Sequence, residues 1–453
     1  MEDKKCLQTL CALRRGVLGV GRKVLGYGRR GALGRKVVDY GPLGAVLIIA
    51  IATLAWASGA AADTCKAIHV FTGTAGNFPR GNLTFDAAGN LYGTTEHGGG
   101  SGCGGRGCGV VWKLKANPNG TWTISIIHQF KGPDGANPFV AGLLFDAVGN
   151  LYGTTSGGGS TACRFGCGVV FKLAPNSDGT WTESALYSFT GGADGAAPGG
   201  SLIFDAAGNL YGTTQGGGAY GEDTVFKLAP NPDGTWTERV LYSFTGGADG
   251  LIPLAGLVFD AAGNLYGTTG YGGADGSGVV FKLAPNPDGT WTESVLYSFT
   301  GYADGSIPGA GLIFDPTGNL YGTTTSGGPF SAGECPAGCG VVFKLAPNPD
   351  GTWTESVLHS FTGGANGYSP AARLAFDATG SLYGTTPYGG ADNYGVVFKL
   401  TPTSGGWSET VLHTFLGVGK YPFAPAVFDP AGNLYGTTFE GSNNYGLVFR
   451  LTP

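Results

Sequence analysis

Five histidines, a scatter of loop carboxylates and nine cysteines are the residues able to do chemistry in this 453-residue chain. His69, His128, His359 and His413 stand at a repeated position that Tyr187, Tyr242 and Tyr297 hold elsewhere. A place that accepts either ring reads as packing rather than acid–base work, and only His97 escapes that reading. Glu222, Asp223, Glu334, Asp392 and Glu440 fall in loops, where two carboxylates at a set separation could cleave a glycosidic bond. Asp134, Asp194, Asp249 and Asp304 each precede a glycine. Gathered at a mouth they would offer oxygen ligands to Ca²⁺, the one cofactor the sequence suggests. As Asp-Gly turns they would bond their own backbone instead, and this reading is preferred because the dipeptide recurs with no added acidic partner; Lys420 also breaks any ring. Three close cysteine pairs, Cys103 with Cys108, Cys163 with Cys167 and Cys335 with Cys339, each end directly before Gly-Val-Val. They lack the spacing and nearby His of a zinc site, so no metal is assigned and disulfides bracing long loops are expected. Cys65 is left without a partner. No G-x-S-x-G nucleophile or phosphate-cradling P-loop with its Lys is present.

The elements that must position these residues follow from composition and repetition. Gly supplies 87 of 453 residues, which disfavours helices because Gly costs about 1 kcal/mol relative to Ala in a helix interior. Collagen is excluded by the lack of a three-residue period, and disorder by a hydrophobic content of 42%. The segment FDxxGNLYGTT begins at Phe85, Phe145, Phe204, Phe259, Phe314, Phe376 and Phe428, with Ser381 replacing Asn in one copy. One unit is therefore about 57 residues, close to a four-stranded propeller blade with loop insertions.

In the unit that starts at Gly256, four strands are predicted over 256–260, 264–269, 278–283 and 293–299, separated by Gly-containing turns. The segment 67–73 matches a fourth strand with no first three before it, and 447–453 matches a third strand with no fourth after it. The halves complement each other. The fold expected is all-β, a seven-bladed propeller with four-stranded blades, closed by the N-terminal strand in the last blade (3+1), which leaves no open sheet edge. In such a blade the first-to-second and third-to-fourth turns share one face of the disc. The second-to-third loops and blade connections share the other, variable face, where a ligand site is expected. Trp122, Trp181, Trp236, Trp291, Trp353 and Trp407 follow the third-to-fourth turns and read as packing elements rather than a sugar platform.

The repeated Gly256–Thr269 and Gly278–Leu283 segments resemble the GloVer tandem repeats of bacterial choice-of-anchor exported proteins, across all seven units. More distantly, the order G-L-x-F-D-x-x-G-N-L-Y is similar to NHL-type propeller repeats. The resemblance implies a cell-surface or secreted repeat protein and brings no catalytic residues with it. No apolar span, sorting signal or linker follows the last unit, so release or N-terminal retention is expected.

Residues 1–42 hold ten of the 26 basic residues, and the apolar run 45–57 is followed by small residues ending in Ala60-Ala61-Ala62. This reads as a basic n-region and signal peptide over 1–62 with an A-x-A cleavage site; an uncleaved anchor is the alternative. Residues 63–453 then form the propeller and keep 16 basic against 28 acidic residues, a net charge of about −12. Such a surface repels nucleic acid. The mature chain is expected to be secreted or extracytoplasmic, not membrane-embedded, and monomeric. Its expected role is a binding or structural scaffold that presents the variable face to a glycan or protein. The alternative is an extracellular carbohydrate-active lyase or hydrolase using loop carboxylates, with Ca²⁺ assistance.

Overall fold

The computed structural model describes residues 64–139, 142–329 and 333–453; the predicted signal segment lies outside them. Each unit begins with a turn built by one carboxylate. Asp260 Oδ1 accepts the Ala262 and Asn264 amide N–H groups at 2.9 Å, and Oδ2 accepts Asn264 Nδ2 at 2.7 Å and the Tyr266 hydroxyl at 2.9 Å. Burial pushes this carboxyl upward, but the bonds from Asn264 and Tyr266 outweigh it and hold Asp260 below the ordinary carboxylate range. The same four contacts recur at Asp86 and Asp146.

The second strand, Leu-Tyr-Gly-Thr-Thr, is buried at every position in all seven units. Its central glycine is required by the third strand. Gly267 pairs with Phe281, whose ring lies over it, and a Cβ there would stand 2.6 Å from Phe281 Cζ. Third and fourth strands pair with a register shift, as between Val280 and Phe281. This bulge adds twist to the outer half of each blade.

Seven four-stranded antiparallel sheets result, arranged as a seven-bladed propeller. In the fourth blade the strands are Val258–Phe259, Leu265–Thr269, Val279–Pro285 and Trp291–Ser298. The first strand is shorter than the five residues predicted, because Gly256 borders the central channel and Asp260 is absorbed as the turn cap. The third and fourth run further, since Pro285 and Trp291 still pair.

Blades meet through aromatic edges. Tyr266 packs edge-on against Phe314 at 5.1 Å and Trp353 at 6.2 Å, both in the next blade. The predicted packing role of the tryptophans is this seam. At the ring's closure Tyr435 meets Phe85 at 5.2 Å and Trp122 at 5.9 Å. The last sheet runs in the order Thr64–Val70, Leu447–Thr452, Leu434–Thr438, Val427–Phe428. Its N-terminal strand keeps the bulge of the others, between Ala67 and His69, and leads into the fully buried Phe71 beside Trp112.

Deleting residues 64–72 should cost more stability than the about 3–5 kcal/mol of a single buried Phe→Ala. Comparing its thermal midpoint with that of Phe71→Ala checks this. A midpoint equal to wild type would show that the strand does not close the ring.

Candidate functional site

Connections between blades lie against the second-to-third loops. Bridges join Asn77 to His97, Ala136 to Gly157, Leu251 to Tyr271, Ser306 to Ser326 and Tyr368 to Tyr388. Every connection contains one non-glycine residue in the left-handed region: Phe78, Asn137, Ala197, Ile252, Ile307, Ser369 and Tyr421, with φ from 51° to 61°. That conformation costs an L-residue about 1–2 kcal/mol, so glycine would be the easy choice. The backbone is clamped there instead. Asn137, Ala197 and Ser369 donate their N–H groups to the carbonyls of Cys108, Cys167 and Cys339 at 2.8–2.9 Å. These cysteines close the disulfides Cys103–Cys108, Cys163–Cys167 and Cys335–Cys339, so each staple fixes a clamp as well as a loop.

The residues singled out from sequence disperse over this face. Asp194 accepts Tyr187 OH at 3.0 Å together with the Thr190 N–H and hydroxyl. Asp249 and Asp304 repeat that pattern with Tyr242 and Tyr297, and Asp134 faces His128 Nε2 at 3.1 Å. The Tyr-or-His position therefore does more than pack, since both rings can donate to the turn carboxylate. Asp223, 1% exposed, replaces a backbone carbonyl as the clamp on Ile252 N–H at 2.6 Å, and burial raises its pKa to about 6. Glu222 lies beside Gly246. Glu334 and Asp392 are exposed, and Glu440 pairs with Lys420 at 3.7 Å. His97 Nδ1 sits 3.0 Å from the Glu96 carbonyl and 3.1 Å from Asn137 Nδ2. None of these ten residues lines the central channel.

That channel is where residues from all seven blades converge, around a volume of about 760 Å³. Asn82 donates to Ser201 Oγ at 3.1 Å across the second blade, whose Gly142 N–H also reaches Ser201 Oγ at 2.9 Å. Two arginines, Arg80 and Arg373, line the channel, and no acidic residue does so among the described residues. Arg80 lies over three phenylalanine rings, 4.0 Å from Phe439, 4.6 Å from Phe423 and 5.0 Å from Phe139. Further rings extend from this cage over one side of the loop face. Phe78 stacks on Phe439 at 4.2 Å, Tyr388 stands 6.1 Å from Phe423, and Tyr368 stacks on Tyr388 at 5.3 Å.

The sequence reading missed this cluster, although a signal existed. Phe439 follows its Leu-Tyr-Gly-Thr-Thr segment where other units carry Glu96, Ser156, Gln215, Gly270, Thr325 or Pro387. Phe423 and Arg80 likewise stand where other units carry Gly199, Leu254, Gly309 or Ala371.

A second missed feature lies at the seams. Glu183, Glu238, Glu293 and Glu355, on fourth strands, are half-buried, and each has an Oε1 without a hydrogen-bond partner. Burial, then the nearby Asp134, Asp194, Asp249 or Asp304 of the preceding connection, raises each to about 7. Where the connection offers Ala75 or Val418 instead, the glutamate position holds Ile124 or Cys65, while Glu409 is kept beside Asn366. Burial pushes the Cys65 thiol up to about 12.

The Gloeobacter/Verrucomicrobia repeat matches residues 103–336 and 334–453. No curated protein matches the chain. Among solved structures it is similar to a candidate 6-phosphogluconolactonase of Bacteroides uniformis, at 17% identity and TM-score 0.48, covering 74% of this chain and 84% of that one. A candidate 6-phosphogluconolactonase of Bacteroides fragilis is 13% identical at TM-score 0.49, covering 81% and 98%.

The raised glutamates carry a pH signature. Between their ordinary 4.5 and about 7 the folded chain holds protons that the unfolded chain releases, so their contribution to stability falls as pH rises through that window. His69, His128 and His359, lowered by burial, act oppositely as pH drops below 6.5. Replacing the four glutamates by Gln should raise the melting temperature at pH 8 by several degrees and leave it nearly unchanged at pH 5. Parallel melts at the two pH values check this, and an equal shift at both refutes it.

Proposed function

Since the chain belongs to the Gloeobacter/Verrucomicrobia repeat family, we propose that it is an extracytoplasmic binding propeller that seats a glycan on its loop face, over the mouth of the central channel. The observation that carries this reading is the one-sided aromatic cluster of Phe78, Tyr388, Phe423 and Phe439 at a concave opening. Aromatic faces pack against the C–H faces of sugars, and a cavity of about 760 Å³ suits a few sugar rings better than a protein surface. Three disulfides favour an oxidising compartment. No helix among the described residues is long and apolar enough to cross a membrane.

A scaffold role also fits the use made of the carboxylates. Glycoside cleavage needs two of them facing one space, whereas the loop candidates lie off the channel and Asp223 is engaged in the backbone clamp.

A glycan array on the purified protein should therefore return specific ligands. Tyr388→Ala and Phe439→Ala should each weaken the best of them by about tenfold, within the reach of one lost aromatic contact. A blank array, or undiminished binding by both variants at wild-type folding, would refute the reading.

A further inference from the structure

The channel's two arginines have no charged partner in the fold described so far. Every other blade manages with Asn82, Gly142, Ser201, Gly256, Gly311 or Pro425 at the position of Arg373. Elsewhere in the blades Lys113 lies 3.8 Å from Asp86, Lys399 3.4 Å from Asp377 and Lys420 3.7 Å from Glu440, while Lys172, Lys227, Lys282 and Lys344 lie over tyrosine rings. Arg80 and Arg373 form no ion pair and no hydrogen bond among the described residues. Arg80 Nε is buried without a partner.

A guanidinium carries five N–H donors in a fixed fork that matches carboxylate and phosphate oxygens. The phenylalanine rings lie 4.0–5.0 Å from the Arg80 guanidinium carbon and offer its N–H donors no acceptor oxygen. Arg373 extends its stem over Gly311 of the neighbouring blade, where a Cβ would stand 3.4 Å from Cδ, and its side chain is open to solvent. Both thus face a channel whose described walls hold no acid. This occurs in a chain whose residues from 63 onward carry a net charge of about −12.

We infer that Arg80 and Arg373 form an anion subsite in the channel, and that the glycan seated above it carries a carboxylate or phosphate group that enters there. This rests on the glycan reading above. The protein surroundings lower the pKa of both arginines by desolvation, with Glu96 and Tyr388 partly opposing it at Arg80. An anion in the channel would answer these unpartnered guanidinium donors with charge-assisted hydrogen bonds.

Calorimetric titration of the full chain with five probes tests the inference. These are trigalacturonate, its trimethyl ester, glucose 6-phosphate, glucose and inorganic phosphate. At least one anionic probe should bind, about tenfold or more tighter than its neutral counterpart. Arg373→Gln should remove that advantage while leaving the neutral probe's affinity and the melting temperature unchanged, and Arg80→Gln should remove it with the further loss of its three ring contacts. Equal affinity for acid and neutral forms, or variants that keep the preference, would overturn the subsite but leave glycan binding standing. Binding of inorganic phosphate that the two variants abolish, with no sugar bound, would keep the anion subsite and reject the glycan reading. Binding of neither sugar nor phosphate overturns both.

Discussion

Closure of the ring is the constraint on which the rest depends. Each blade buries its second strand completely, yet it can do so only because the next blade presents a Phe edge to its Tyr, joined by a Trp edge at every seam but that of Tyr383 and Phe428. No blade is stable alone in that sense, and the seventh seam exists only if the first strand of the described chain joins the last sheet. The channel is a by-product of the same geometry. Seven first strands of two residues each leave a central space, and whatever side chains precede them must fill or line it.

Much of this architecture was legible from the sequence because repetition made it so. Seven copies of the same turn and strand fixed the blade count, and the complementary ends at 67–73 and 447–453 pointed to the shared sheet. The Gly-containing turn of the FDxxGN segment was legible, whereas the bond its carboxylate takes from the Tyr266 hydroxyl was not. Strand limits were less legible, since Pro285 and Trp291 pair across what reads locally as a turn.

The residues gathered at the channel were not legible, for a physical reason. Titratable loop residues carry the most conspicuous chemistry, whereas in this fold such residues mostly serve their own turns, as Asp194 and Asp249 do. The residues that converge are distant in sequence and ordinary in type: Phe78, Phe139, Phe423, Phe439, Arg80 and Arg373. They stand out only against their counterparts in other units. In a repeat protein, departure from the internal consensus is more informative than residue chemistry. The matched loss of seam Glu and connection Asp at Ile124 and Cys65 follows the same logic.

The seven left-handed residues, from Phe78 to Tyr421, have a consequence of their own. Their backbone is pinned by a neighbour's carbonyl or, at Ile252, by a carboxylate, so the main chain takes the same path whether the side chain is Ala, Asn, Ile or Tyr. Each blade thus contributes one interchangeable fixture to a common rim. A new specificity can be assembled sector by sector, without renegotiating the sheets beneath.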